Sequence, residues 1–113
     1  MARAATTSDV FNAVADVHRR QLLDALILGE KAVGTLVGDL AMSQPQVSKH
    51  LRVLSDVGLV RSRAEGRYRF YRLAPEKLRP LHAWIGQYEQ VINDRLDRID
   101  DYLQHLQEQG EPQ

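Results

Sequence analysis

The sequence predicts a mainly α-helical fold that carries one β-hairpin, in the order four helices, hairpin, long final helix. Apolar residues recur at helical spacing through most of the chain, and two segments rich in β-branched and aromatic residues flank a glycine. The 113 residues are enough for one compact domain. Within this single domain, 1–113, we expect a core at residues 8–80 and a long C-terminal helix at residues 81–108.

The first three helices are short. Ser8 and Asp9 are suitable caps for a helix that continues to about Ala15. Residues 17–28 form the second helix, which a glycine ends. The third covers residues 33–40, where apolar positions repeat at the helical offsets of three, four and seven.

The fourth helix begins with a capping box. Ser43 is followed three residues later by Gln46, and Pro45 lies in the first turn, where it loses no helical hydrogen bond. One face then carries Val47, Leu51 and Leu54. Two helices joined by a tight turn, the second with a capped polar start, predict a helix-turn-helix.

A β-hairpin follows this helix. Residues 59–64 and 67–73 are predicted to be its strands, and Glu65 and Gly66 separate them. We expect its aromatic residues Tyr68, Phe70 and Tyr71 to pack mostly into the core rather than to stack on bases.

The last helix predicts a dimer. About 28 residues would span about 42 Å, more than a small domain covers alone, so its apolar stripe needs a partner. Folding back on its own domain is the alternative. The expected interface residues lie on the first and last helices: Val10, Phe11, Val14, Trp84, Ile85, Tyr88, Ile92, Ile99, Leu103 and Leu106.

Composition excludes several classes of protein. The chain has no cysteine, so disulfide frameworks, thiolate metal sites and cysteine nucleophiles are absent. No apolar run reaches the length of a membrane span and the N-terminus lacks a signal peptide, so we expect a soluble, cytoplasmic protein with no membrane partner. Ser48 and His50 are two positions apart on a helix and face different directions, and no cofactor fingerprint occurs. We therefore predict neither an enzyme nor a cofactor.

The net charge of zero conceals a basic middle. Residues 43–80 carry a net charge of +6, whereas residues 1–42 carry −1 and residues 81–113 carry −5. This asymmetry predicts one surface that meets a polyanion. The alternative is an ordinary solvated polar face.

The exposed residue types of the fourth helix and the hairpin suit double-stranded DNA. Glutamine, lysine, arginine and serine read base edges in the major groove, and arginine also binds phosphate. The predicted DNA-binding residues are Ser43, Gln44, Gln46, Ser48, Lys49, His50, Arg52, Arg61, Arg63, Arg67 and Arg69. Arg67, next to the turn glycine, is the best candidate to reach phosphate or the minor groove. His50 lies towards the buried side of its helix, where an interface or phosphate contact is a better expectation than a metal ligand.

These segments resemble a known family. Residues 43–54, the Gly58-Leu59-Val60 segment and residues 66–73 look like the winged helix-turn-helix core of ArsR-type bacterial transcriptional repressors, and residues 11–16 with 19–23 resemble its first helices. Trp84, Tyr88, Arg95 and Leu96 resemble the last helix of a subgroup without metal-binding cysteines. Val17-His18 departs from the subgroup, which often has Pro-Thr there. The resemblance implies a homodimeric repressor that binds an imperfect palindrome in its own or a neighbouring promoter, with the hairpin as the wing.

The resemblance also raises the question of a sensor site. Metal sensors of this type use cysteines on the third helix, which are missing here, or carboxylate and histidine ligands on the last. Asp101, His105 and Glu108 could share one face of the last helix, but an intrahelical charge pair near the helix end is the better explanation, so we predict no metal site. His18 and His82 are expected to be isolated. An unidentified small-molecule inducer stays open.

Three functional hypotheses remain beside the sequence-specific repressor. One is a metal-responsive repressor that uses the last-helix ligands. Another is a winged-helix protein-interaction module that does not bind DNA. The third is a nucleoid-type protein that binds DNA without sequence preference.

Overall fold

The computed structural model describes residues 9–110. Ser8, the first half of the predicted cap, therefore lies outside the described residues. The chain divides into two compact units, one ending at Leu81 and the other beginning at His82. The elements are α1 (Val10–Ala13), α2 (Val17–Ile27), β1 (Lys31–Ala32), α3 (Val33–Leu40), α4 (Gln44–Asp56), β2 (Val60–Glu65), β3 (Tyr68–Leu73), a 3-10 helix (Pro75–Leu78) and α5 (Arg79–Gly110).

Helix α1 is shorter than predicted. The Asp9 side chain caps it by accepting from the Phe11 backbone N–H, but the helix ends at Ala13 rather than near Ala15. Its last carbonyl groups are taken by arginines of α2, since Arg19 donates to the Ala13 carbonyl at 2.7 Å. Arg20 likewise donates to the Val14 carbonyl, at 2.8 Å. These bonds give partners to the carbonyl groups at the C-terminal end of α1, which have none within the helix.

The sheet has three antiparallel strands in the order β1-β3-β2, one more than the predicted hairpin. Strand β1 has only two residues, with Lys31 opposite Tyr71, so it leaves no periodic signal in the sequence. The hairpin loop is Gly66-Arg67, one position later than predicted, because Glu65 pairs with Tyr68. Gly66 has a φ of 63°, whereas Arg67 is not in the positive-φ region. A glycine first and a negative φ second is the pattern of a type II′ turn, which suits a tight hairpin.

The core of the first unit is built around α4. Leu22, Leu36, Val47, Leu51, Leu54 and Leu59 are fully buried. Three of them, Val47, Leu51 and Leu54, form one stripe of α4, as their spacing predicts. Burying this stripe against α2, α3 and β2 leaves the opposite face of α4 in water.

The long helix α5 starts at Arg79, two residues before the predicted start, and follows the 3-10 helix. Pro80 lies in the first turn, where the missing N–H costs no hydrogen bond, so it does not interrupt the helix. The large apolar side chains of the helix are exposed, by 40% at Ile85 and 53% at Ile99. Within the described residues, no helix combines the length and apolar character that crossing a membrane requires.

Truncation of Leu54 tests this core. Leu54→Ala is expected to lower the free energy of unfolding by about 2–5 kcal/mol, because removing a fully buried side chain leaves a cavity. Leu28→Ala is the matched control, since Leu28 is 84% exposed, and we expect a change of no more than about 0.5 kcal/mol. Denaturant unfolding at one protein concentration, followed by far-ultraviolet circular dichroism, measures both. Equal losses of stability would contradict the assignment of α4 to the core.

Candidate nucleic-acid interface

A complete capping box fixes the start of α4. The Ser43 hydroxyl accepts from the Gln46 backbone N–H at 3.3 Å, and the Gln46 side-chain oxygen accepts from the Ser43 N–H at 3.0 Å. The predicted cap is therefore confirmed. It also turns the Gln46 side chain back onto the start of the helix, so Gln46 would have to give up this bond to read a base.

The polar face of α4 is open to solvent. Gln44, Ser48, Lys49 and Arg52 are all exposed, on the side opposite the buried stripe. Their exposure in the described part of the chain makes each of the four accessible to a groove of DNA. The helix N-terminus adds N–H groups outside the helical hydrogen-bond ladder and a positive dipole end, which favour a nearby phosphate.

His50 corrects two expectations. It is only 8% exposed and lies with the buried side chains of α4, so it is not available to DNA. Its ring stacks on that of His18, with centroids 5.6 Å apart and planes 15° apart, so His18 is not isolated. Burial lowers the pKa of His50, although the nearby carboxylate of Asp16 opposes this effect. A cationic contact from His50 to phosphate is therefore disfavoured.

Arg63 is less available than its position on the hairpin suggests. Its guanidinium donates twice to the Glu30 carboxylate, at 2.8 and 2.7 Å, and also to Glu65. It also lies over the ring of Phe70, at 4.8 Å from the ring centroid. Hydrogen bonding to Arg63 lowers the pKa of Glu30, which keeps that carboxylate ionised. Two carboxylates thus neutralise the charge that Arg63 would offer to DNA.

The other hairpin arginines retain more of their positive potential. Arg61 stands directly opposite Arg72 in the strand register, an arrangement that like-charge repulsion disfavours. Glu76 relieves it only weakly, at 3.7 Å from Arg61, with both side chains more than half exposed. Arg69 donates to the uncharged Ser62 hydroxyl at 3.1 Å. A bound polyanion would relieve this repulsion.

An open cleft joins α4 to the hairpin. Four predicted DNA-binding residues line it, Gln44 and Ser48 from α4 and Arg67 and Arg69 from the hairpin. Tyr68 lines it too and is 61% exposed, so it is an exception to the core packing expected for most of the hairpin aromatics. Tyr71 also lines the cleft and is partly buried against the core, as predicted. The two tyrosines are three positions apart on β3, so their side chains lie on opposite faces of the sheet, and this alternation is the signal that distinguishes them.

The predicted dimer residues divide into two groups. On α5, Trp84, Ile85, Tyr88 and Ile92 line an entirely apolar depression in the helix surface. The exposed apolar stripe continues to Ile99, Leu103 and Leu106. On α1, Val10 is buried in the core of its own protomer and Val14 packs partly against it, so neither forms the uncovered surface that the sequence predicted. Phe11 is 36% exposed.

The three residues of the last helix that were weighed as candidate metal ligands are not brought together. In the part of the chain that the structure describes, one set of three potential ligands has its atoms within 4.8 Å of one another, and it consists of Asp16, His18 and His50. Asp101, His105 and Glu108, which the structure also describes, do not form such a set.

Comparison with known proteins identifies the family. Residues 16–62 match the bacterial regulatory protein, arsR family. The chain is 40% identical to the HTH-type transcriptional regulator Rv2034 of Mycobacterium tuberculosis over 78 residues, which are 69% of this chain and 73% of the relative. The chain belongs to the arsR family.

Two further comparisons agree with this membership. The arsR-family chain is 38% identical to the arsenic resistance transcriptional regulator ArsR2 of Pseudomonas putida over 87 residues, 76% of this chain and 72% of the relative. Its fold is similar to the solution structure of the homodimeric winged helix-turn-helix DNA-binding domain Mb0332 from Mycobacterium bovis. That comparison has a TM-score of 0.61 and 32% identity, and it covers 86% of this chain and 87% of the other. The resemblance stated from the sequence is confirmed, and so is the winged helix-turn-helix fold.

Proposed function

We propose that this arsR-family protein is a homodimeric repressor that binds an imperfect palindrome in its own or a neighbouring promoter, in the cytoplasm. The observation that carries the proposal is the cleft between α4 and the hairpin. It combines Gln44 and Ser48, which suit base edges, with Arg67 and Arg69, which suit phosphates. A repressor needs both, because phosphate contacts supply affinity and base contacts supply sequence preference.

The exposed stripe of α5 supports the homodimer. Its apolar side chains from Trp84 to Leu106 lie along a 32-residue helix and are about half exposed in one protomer. A second copy would remove this surface from water, as coiled-coil pairing does. The homodimeric Mb0332 domain provides a related precedent. A two-fold dimer would present two α4 helices to half-sites about 34 Å apart.

We propose a smaller set of DNA-contacting residues than the sequence alone suggests. Gln44, Ser48, Lys49 and Arg52 would read the major groove, with Ser43 at the helix start near a phosphate. Arg61, Arg67 and Arg69 would hold the backbone or the minor groove. Burial removes His50, and Gln46 and Arg63 are secondary because other groups of the protein already bond them.

A gel-shift experiment tests the proposal as a whole. A duplex of roughly 30 bp, long enough for two half-sites one helical turn apart, is taken from the promoter upstream of the gene. A scrambled duplex of equal length is the control. We expect tighter binding to the promoter duplex. Equal binding to both would support a nucleoid-type protein instead, and no binding at low ionic strength would support the protein-interaction module.

The hairpin arginines give a matched pair of variants. Arg67→Ala is expected to weaken binding to all duplexes and to reduce the slope of log affinity against log salt by about one, as removal of a single phosphate contact does. Arg63→Ala should reduce the slope less, because Glu30 and Glu65 already neutralise Arg63. Fluorescence anisotropy across a salt series measures both slopes. A larger change for Arg63→Ala would contradict the assigned roles.

The α4 side chains should control sequence preference. Each good bond to a base edge supplies about 1–3 kcal/mol of discrimination, so Gln44→Ala or Lys49→Ala should lower the preference for operator over scrambled DNA by about that amount. The affinity for scrambled DNA should fall much less for Gln44→Ala, because glutamine carries no charge. Competition binding with operator and scrambled duplexes measures the preference. Unchanged discrimination in both variants would remove the recognition role of α4.

A charged side chain introduced into the exposed apolar stripe of α5 tests the proposed dimer interface. Ile92 is 50% exposed, and Ile92→Glu is expected to convert the dimer to a monomer at micromolar concentration and to weaken operator binding. Gln90→Glu places the same charge on the same helix, at another exposed position, and should leave the dimer intact. Sedimentation equilibrium distinguishes the two states. A dimer that survives Ile92→Glu would place the interface elsewhere.

A further inference from the structure

Three potential metal ligands meet where α2 begins beside α4. A carboxylate oxygen of Asp16 and one imidazole nitrogen each of His18 and His50 lie within 4.8 Å of one another. His18 Nδ1 is 3.6 Å from Asp16 Oδ1. Asp16 and His18 come from the start of α2, whereas His50 comes from the buried face of α4, so the cluster joins two helices of the core.

The fold arranges this cluster before any ion is bound. Asp16 is the N-cap of α2, and its Oδ1 accepts from the backbone N–H groups of His18, at 2.8 Å, and Arg19, at 3.2 Å. These two bonds orient the carboxylate and do not involve Oδ2. Carboxylates that bind metals are commonly held in this way by further hydrogen bonds.

His50 gives the second, independent observation. Its side chain is more than nine-tenths buried, and its Nδ1 is a buried atom with no hydrogen-bond partner among the described residues. Leaving a buried polar atom unpaired costs free energy, so such an atom calls for an explanation. The unpaired atom shows that the His50 ring lacks one of its two partners, and a metal ion in the cluster would be bound by whichever ring nitrogen faces Asp16 and His18.

We propose that Asp16, His18 and His50 form a binding site for a divalent late transition-metal ion of the zinc type. Two imidazoles and one carboxylate are ligands that zinc takes in proteins, with a fourth position left to water or another group. Tetrahedral ligands about 2.0–2.1 Å from zinc are roughly 3.3 Å apart. The three atoms must therefore approach by about 1.5 Å at most. The half-exposed His18 ring must also rotate out of its near-parallel stack on His50, because two parallel imidazoles cannot both direct an in-plane lone pair at one ion.

Two features of the site oppose a cation. The start of α2 is the positive end of a helix dipole, and Arg19 is close enough to disfavour positive charge on His50. Neighbouring groups weaken both the repulsion from the helix dipole and the repulsion from Arg19. The Asp16 carboxylate supplies the compensating charge, and the Arg19 guanidinium is directed towards the carbonyls of Asn12 and Ala13. Affinity should therefore depend strongly on all three ligands.

Zinc titration of the purified dimer, in competition with a chromophoric chelator, tests the site without DNA. We expect one zinc ion per protomer. His18→Ala and Asp16→Asn should each weaken binding by about tenfold or more. Asn remains a good helix cap, so Asp16→Asn removes the ligand charge while keeping α2 capped. His82→Ala and His105→Ala, at exposed positions on α5, are the matched controls and should bind zinc as the parent protein does.

Three results would overturn the site. The first is equal zinc binding by the parent protein and His18→Ala, and the second is no zinc binding by the parent protein at micromolar concentration. The third is a loss of binding in His105→Ala, which would place the site on α5. Circular dichroism of each variant confirms that it is folded, so a loss of binding is not a loss of structure.

Occupation of the site would act on DNA binding through α4, and this step rests on the proposed function. His50 immediately follows Lys49, so a metal that ties His50 to α2 restrains the helix that carries the base-reading side chains. Zinc is expected to change operator affinity in the parent protein but not in His18→Ala. An identical effect in both would refute the regulatory role. Absence of operator binding without zinc and with it would instead count against the proposed function, while the chelator titration would still decide the site.

Discussion

The burial of one stripe of α4 is the constraint on which the rest of the structure depends. Val47, Leu51 and Leu54 are fully buried, and a helix that buries one face must expose the opposite face. The rotation of α4 about its own axis is therefore set by the core. Because Leu51 and Leu54 face the core, Gln44 and Lys49 on the opposite side of α4 are exposed to solvent. The surface that would read DNA is thus defined by hydrophobic packing, before any contact with nucleic acid is made.

In the hairpin, the hydrogen bonding that pairs the strands is opposed by repulsion between arginines that the pairing brings together. Arg61 faces Arg72 across the ladder, and Glu76 forms no more than a long, exposed ion pair with Arg61. Arg63, by contrast, is neutralised by Glu30 and Glu65. The protein therefore compensates charge fully near the middle of the hairpin and only weakly at its base. Since phosphate groups would remove the remaining repulsion, the pattern favours binding to a polyanion.

Sequence reasoning succeeded where a pattern is local and failed where distant residues meet. The capping box at Ser43 and the stripe of α4 follow from spacing within one helix, and both are present. Strand β1 is two residues long and exists only because β3 lies beside it. His18 was expected to be isolated because its partner, His50, is 32 positions away in the sequence. The sequence likewise did not reveal that Arg63 is strongly paired and Arg61 only weakly. The difference depends on Glu30, which is 33 positions before Arg63 and outside the hairpin.

Position 18 shows how a departure from a family pattern can carry information. The subgroup without metal-binding cysteines, which the sequence resembles, often has a threonine at this position. A threonine would leave only Asp16 and His50 of the three metal ligands that we propose. A histidine adds an imidazole next to a carboxylate already oriented by its capping bonds. Since the N-cap role of Asp16 does not need the His18 side chain, the extra ring is not explained by helix capping. Its ring lies beside that of the buried His50, and the metal site that we propose would connect the start of α2 to the helix that would read DNA.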